Sequence, residues 1–366
     1  LKEERPKLSS ISSGELRNDA VPSLTLKPFL KEVAKQPSCV KPEVILLTGA
    51  TGFLGNYVLE ELLRKTSASI YCLCHRKQKL TPNKRVITIR GDLKLPRLGL
   101  DELTWQRLSL SVDTVFHCAA STSSVATYDK IRSANVYGTE EILRFALTER
   151  PKHLHYTSTL SVFVATDRKE RTYYEKDELT EECQVFGGYG QSKYAAELLL
   201  RQVAPHLRLV TYHRFGLITG DSRTGQSKSN CLIRRLLLSD EEIPDDTSIR
   251  VDITPVDYAS SAMVQLALTA EGTGTFHISA GSATAAQLRK AQLKNCPKTK
   301  DAHMKLSLCR SRNELAIFRD LDLFQATNVT FDTTRCDELL QESGLIKPKV
   351  SDDLLRSYSL SSSSSK

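Results

Sequence analysis

A chain of 366 residues, 40% hydrophobic and 26% charged, can bury a sizeable core as one large domain with a smaller lobe, which excludes the fibrous and disordered classes. No apolar run reaches the ~18 residues of a membrane helix, and the N-terminus lacks the charged, apolar, small-residue order of a signal peptide, so a soluble, cytoplasmic protein with no membrane partner is expected. The net charge of +8 is spread without a basic helix or an interleaved aromatic platform; this argues against nucleic acid and leaves solubility, or an acidic or phosphate-bearing partner, as its meaning. The nine cysteines are odd in number and scattered, read as reduced thiols, and they have no further Cys or His at ligand spacing, so no metal is expected.

Residues 1–41 are rich in Lys, Glu, Ser and Pro, and Pro6, Pro22, Pro28 and Pro37, with Pro42 just beyond, interrupt any long helix. They read as a linker or an embracing arm. The chain begins at Leu1 instead of methionine, which predicts a fragment or processed piece. Val44 to Leu47 is apolar at consecutive positions, as a parallel strand covered on both faces requires. It breaks into Thr48-Gly49-Ala50-Thr51-Gly52-Phe53-Leu54-Gly55 and a helical segment to Lys65. In such a strand–turn–helix unit Gly49 permits the sharp turn, Gly52 lets backbone approach a pyrophosphate, and Gly55 packs the helix against the strand. The helix N-terminus then faces the phosphates. Thr48, Gly49, Thr51, Gly52, Phe53, Leu54 and Gly55 form the candidate cofactor cradle.

Ser69 to Cys74 reads as the second strand, followed by His75-Arg76-Lys77. A dinucleotide fold usually places an acidic residue here for the ribose 2′-OH, whereas arginine accommodates a 2′-phosphate; Arg76 therefore favours NADPH. Val86 to Ile89 is a third strand, with Asp92 beyond its end as a candidate acceptor for an adenine amine. Asp113 to His117 is a fourth, running into the small-residue turn Cys118-Ala119-Ala120, where Ala119 would let the cofactor lie across the strand ends. His117 is given no catalytic role. Asn135, in the next helix, either caps or kinks it locally or orients active-site water. Lys152 to Thr159 is the fifth strand, and Tyr189 and Lys193, four apart, share one helical face thirty residues later. An ammonium beside the phenol, and beside the positive nicotinamide of the oxidised cofactor, would lower its pKa and make Tyr189 a usable proton donor or acceptor; Tyr189 and Lys193 are candidate cofactor contacts as well as catalytic residues. Thr159 would hold the substrate carbonyl oxygen.

The glycine turn, Thr159, Tyr189 and Lys193, in that order, resemble an extended short-chain dehydrogenase/reductase. Together with Ile218-Thr219-Gly220-Asp221-Ser222-Arg223-Thr224-Gly225 and Thr254-Pro255-Val256-Asp257-Tyr258, they resemble the terminal thioester reductase domains of nonribosomal peptide and polyketide synthases and of carboxylic acid reductases. The resemblance implies an α/β Rossmann-type doubly wound parallel sheet (42–220), a mainly substrate-binding lobe (221–358) from which some segments return to the core, and a disordered tail (359–366). It also implies NADPH-dependent release of an acyl or peptidyl thioester from the phosphopantetheine of a carrier domain, giving an aldehyde or, after a second hydride, an alcohol, by a monomeric domain of a larger synthase. Leu217 stands where the family commonly has an arginine. The alternatives are a fatty acyl-CoA reductase or sugar-nucleotide epimerase/dehydratase of the same fold, or a non-catalytic NADP-binding regulator.

Overall fold

The computed structural model describes residues 13–31, 41–76, 80, 82–123, 126–163, 171–180, 185, 187–228, 231–239, 242–292 and 329–360. In chain order the strands are β1 (Val44–Thr48), β2 (Ser69–Cys74), β3 (Val86–Arg90), β4 (Thr114–His117), β5 (His153–Thr159), β6 (Arg171–Tyr173), β7 (Leu209–Phe215), β8 (Leu217–Thr219), β9 (Arg250–Pro255), β10 (Gly274–Ile278), β11 (Gly281–Thr284) and β12 (Val329–Phe331). The helices used below are α1 (Ser13–Asn18), α2 (Phe53–Lys65), α3 (Glu102–Ser111), α4 (Tyr128–Arg132), α5 (Gly138–Leu147), α6 (Gly188–Val203), α7 (Leu232–Leu237), α8 (Val256–Thr269) and α9 (Ala285–Ala291).

Seven strands form one parallel sheet in the order β10-β7-β5-β4-β1-β2-β3, so the doubly wound Rossmann-type α/β fold is present. The uninterrupted apolar run of β1 is explained by its central place: Ile45 and Leu47 pack with α2 and α8 on one face, and Leu46 with α3, α5 and α6 on the other. The chain leaves β1 toward β2 and β3 and then crosses to β4, so the order reverses between β1 and β4, where open α/β sheets bind ligands. Arg85 donates to the carbonyls of Leu63, Thr66 and Ala68 and so closes the C-terminus of α2, whose last carbonyls lack partners within the helix.

Two segments expected among the smaller lobe return to this sheet. β10 is its edge strand beside β7, and α8 packs on α2. What remains is a second core, in which the three-stranded β11-β9-β8 sheet, α7, α9 and the helix Asp352–Leu360 bury Ile233, Leu237, Ile253, Leu288 and Leu355. The segment 13–31 embraces the sheet's helices: Leu16 and Leu26 are buried, Asp19 accepts from the Tyr128 hydroxyl at 2.7 Å, and Arg144 donates to the Thr25 carbonyl at 2.5 Å. Of the expected tail, Ser359 and Leu360 close the last helix and 361–366 lie outside the described residues; so does Lys77. No helix among the described residues is long and apolar enough to cross a membrane.

Candidate active site

The glycine turn is built by exclusion. Gly49 has φ +77°, and a Cβ there would lie 2.7 Å from the Ala119 nitrogen; one on Gly55 would lie 2.0 Å from the Gly49 carbonyl oxygen. The β1 turn therefore presses against the β4 turn and against its own helix. The N-cap of α2 is Gly52, which has no side chain to satisfy the first N–H groups, so these remain available to a phosphate. Phe53 opens the helix and packs edge-on against Tyr57, while Leu54 joins the core and Thr51 is half-buried. These features fit a bound dinucleotide.

Thr48 does more than end a strand. Its hydroxyl oxygen accepts from the Ala119 N–H at 3.1 Å and lies 2.8 Å from His117 Nδ1; His117 Nε2 lies 3.3 Å from the Thr139 hydroxyl, which donates to the Asn135 carbonyl at 2.6 Å. Since the Thr139 proton is spent on Asn135, Nε2 carries the His117 hydrogen and Nδ1 accepts from Thr48. Burial, then the nearby Lys193, push His117 down to about 3, so it stays neutral. It ties the glycine turn to the helix that carries Asn135. That residue lies in a π-helical turn, Ser133–Tyr137; its side chain accepts from the Ser121 N–H and donates to the Ser121 carbonyl and the Ser192 hydroxyl. These bonds fasten the π-helical turn to the loop after β4 and to α6.

Helix α6 begins at Gly188, earlier than the sequence suggests, so Tyr189 and Lys193 both lie within it. Gly187, at φ +75°, and Gly188, whose Cβ would meet the Ala126 carbonyl oxygen at 2.3 Å, let its first turn come this close. Lys193 is 1% exposed; its ammonium donates to the Thr157 carbonyl at 2.8 Å and lies 4.5 Å from the Tyr156 ring centroid. Burial lowers Lys193 to about 7 against the opposing influence of Cys118 and Glu197. Burial also pushes Tyr189 up to about 12. In the protein alone burial moves the tyrosine opposite to the lowering expected from the lysine and the oxidised nicotinamide: loss of water disfavours both the phenolate and the ammonium. A phenol that keeps its proton at neutral pH is still an acid. Thr159 ends β5, where its hydroxyl donates to Ser161 Oγ at 3.1 Å and accepts from the Ser161 N–H at 3.2 Å.

The two nucleotide-edge candidates differ from each other. Arg76 is exposed at the bend after β2. Asp92 is already engaged, accepting from the Lys94 N–H at 2.9 Å and facing His75 Nε2 at 3.1 Å, because His75 leaves the end of β2 beside it. The motif loop after β8 is self-contained, with Asp221 taking the N–H groups of Arg223 and Thr224 and Asp257 taking both the N–H and hydroxyl of Ser222. Sequence reasoning missed Lys228, whose ammonium lies 5.8 Å from the Phe53 ring centroid, and Glu197, wholly buried one turn beyond Lys193. The spacing Tyr189, Lys193, Glu197 was the available signal for the latter.

A parallel doubly wound sheet, an uncapped glycine turn at its reversal and a Tyr-x-x-x-Lys helix beside a strand-end threonine define a nicotinamide-dinucleotide oxidoreductase of the short-chain dehydrogenase/reductase type. Residues 47–263 match the family described as Male sterility protein, and the chain belongs to this NAD-binding family. It is 33% identical over 277 residues to a component of the linear gramicidin synthase of Brevibacillus parabrevis, covering 69% of this chain and 5% of that protein. It is 32% identical over 293 residues to glycine betaine reductase ATRR of Emericella nidulans, covering 72% and 22%. The chain thus spans a small part of these curated relatives. The crystal structure of the terminal R domain from the myxalamid PKS-NRPS biosynthetic pathway matches with a TM-score of 0.76 and 32% identity, covering 94% of this chain and 96% of that one.

Proposed function

We propose that this domain uses NADPH to reduce an acyl or peptidyl thioester, presented on the phosphopantetheine of a carrier domain, to an aldehyde and a free thiol. The observation that supports the reading is Thr159 at the end of β5 with the Lys193 ammonium, one turn from Tyr189 on α6, donating to the Thr157 carbonyl of that strand, in a chain 32% identical to the terminal R domain from the myxalamid PKS-NRPS pathway over a match covering 94% of this chain. Bound at the glycine turn, the dinucleotide supplies the hydride. This chain's residues handle the oxygen and the proton. Thr159 turns its hydroxyl from Ser161 to the thioester carbonyl oxygen, and Tyr189 donates a second hydrogen bond to that oxygen. As the carbon accepts hydride, Tyr189 passes its proton to the oxyanion; collapse of the resulting hemithioacetal forms the aldehyde C=O, breaks the C–S bond and releases the pantetheine thiol. Lys193, beside Tyr156 and Thr157, holds positive charge at the base of the site. A second hydride would take the aldehyde to the alcohol.

NADPH is preferred over NADH in this reading because β2 is followed by Arg76 and no carboxylate. Arg76→Ala should weaken NADPH by about 10–100-fold, the ~1.5–3 kcal/mol of a charge-assisted hydrogen bond, and leave NADH unchanged. Titrating both cofactors by fluorescence checks this; equal wild-type affinities remove the assignment.

A carrier domain as donor is supported by the synthase relatives and by the net charge of +8 facing a generally acidic partner. The carrier-bound thioester should show a higher kcat/KM than the same acyl group on a pantetheine mimic, and the advantage should shrink as salt rises, since the Debye length is ~8 Å at physiological ionic strength. Two substrates that behave alike at every salt concentration would show that docking contributes nothing.

A further inference from the structure

Glu197 and Arg214 form an ion pair with both side chains at 0% exposure, beneath the end of β5. Arg214 reaches the carboxylate through Nε at 3.2 Å and Nη2 at 2.5 Å; Arg201 adds Nη2 at 2.7 Å. The other carboxylate oxygen accepts from the Ser158 hydroxyl at 2.8 Å. Arg214 also lays its guanidinium 4.5 Å from the Phe163 ring centroid and donates to His277 Nε2 at 3.3 Å. His277 in turn gives its Nδ1 hydrogen to the Asp332 carbonyl and its backbone N–H to Glu175.

Two facts make this more than a core contact. Ser158 immediately precedes Thr159, and Phe163 closes the single turn Leu160–Phe163 that follows it, so the pair grips the chain on both sides of that threonine. Glu197 is also the third member of the α6 face that bears Tyr189 and Lys193. A buried ion pair adds little stability over apolar residues of similar volume, because desolvation consumes the Coulombic gain. What it supplies is fixed geometry.

We propose that Glu197, locked by Arg214, is a positioning residue that sets Thr159 against Tyr189 and Lys193 through Ser158 on one side and Phe163 on the other. This rests on the assignment of the reduction to those three residues. The groups facing Lys193 are His117 and Cys118 at the end of β4, Tyr156 and the Thr157 carbonyl on β5, and Glu197 one turn along its own helix, which carries Tyr189 one turn to the other side. Glu197 is the carboxylate among them, and its removal leaves the ammonium easier to deprotonate.

The test uses two variants, with wild type and Tyr189→Phe as references. Ser158→Ala cuts Glu197 from β5 and leaves the ion pair whole. Glu197→Leu with Arg214→Met removes both fully buried charges together and leaves Arg201, whose side chain is 31% exposed, so no unpaired charge remains wholly buried. Both should bind NADPH within about twofold of wild type, with kcat for the thioester down about tenfold in Ser158→Ala and about 100-fold in the double variant, since ~1 Å of misplacement costs that much. The double variant's alkaline limb of kcat should also move to lower pH. Wild-type kcat and pH profile in a folded double variant, or wild-type kcat in Ser158→Ala if the double does not fold, overturns the proposal. If Tyr189→Phe also keeps wild-type kcat, it is the catalytic assignment itself that fails.

Discussion

Tyr189→Phe is expected to lower kcat for thioester reduction by about 10²–10⁴-fold with NADPH affinity essentially retained, because it removes the proton that the oxyanion must receive and little else. The phenol is raised to about 12 by burial, so at neutral pH it is fully protonated and a donor. The ring is preserved in phenylalanine, and the glycine turn that holds the phosphates is left untouched by the change, so binding and the chemical step can be read separately. Lys193→Met should be comparably damaging, since its ammonium lies between the Tyr156 ring and the Thr157 carbonyl at the floor of the site. Burial lowers it to about 7, so its charge is present below that pH and lost above it; kcat should therefore fall as pH rises through neutrality. Single-turnover kinetics with an acyl-loaded carrier, alongside a cofactor titration, measures both quantities. A Tyr189→Phe loss of less than about tenfold would move the proton elsewhere and leave Thr159 as an oxyanion donor only. A wild-type protein that binds NADPH yet turns over no acyl-loaded carrier would favour a cofactor-binding regulator, for which Tyr189 and Lys193 are incidental.

The parts of this site legible in the sequence are those enforced by local rules. Consecutive apolar residues from Val44 give a central strand because both its faces are covered, and the glycine spacing gives the turn because a side chain on Gly49 or Gly55 would collide with backbone. Tyr189 and Lys193 are visible because a spacing of four is one helical turn. What was not legible depends on contacts between elements distant in sequence. The Glu197–Arg214 pair joins α6 to β7, and the Thr48–His117–Thr139 chain joins β1, β4 and α5. The upward push that burial gives Tyr189 was not legible for the same reason: the spacing of four is local, but how much water a side chain loses is a property of the packed fold. Likewise the return of β10 to the edge of the main sheet follows from a crossover that no short window contains.

Acid should destabilise this domain well above the pH at which most carboxylates titrate. His117 and His213 are held down to about 3 and His277 to about 4, with burial the largest cause in each, and His155 is held well below its ordinary value. These rings fold neutral, whereas in the unfolded chain they take up protons near pH 6.5. The folded pKa is the lower one, so the stability is complete above about pH 6.5 and is lost progressively as pH falls toward the folded values. Each such histidine removes ~1.4 kcal/mol per pH unit in that window. Two acting together take ~3 kcal/mol per unit from a stability of about 5–15 kcal/mol, enough to unfold the domain near pH 4–5. His213 is the sharpest probe. It is stacked 5.6 Å from Phe276 and bonded through Nε2 to Thr211, which keeps His155 as a second partner, and its buried Nδ1 has no hydrogen-bond partner among the described residues. His213→Phe should therefore fold, pack against the same rings and flatten the acid slope by the share of one histidine. Thermal midpoints of both proteins at half-unit steps from pH 7.5 to 5 give the comparison. A wild-type midpoint that does not move over that range would mean these rings already carry protons in the folded protein, and an unchanged slope in His213→Phe would assign the acid sensitivity to other groups.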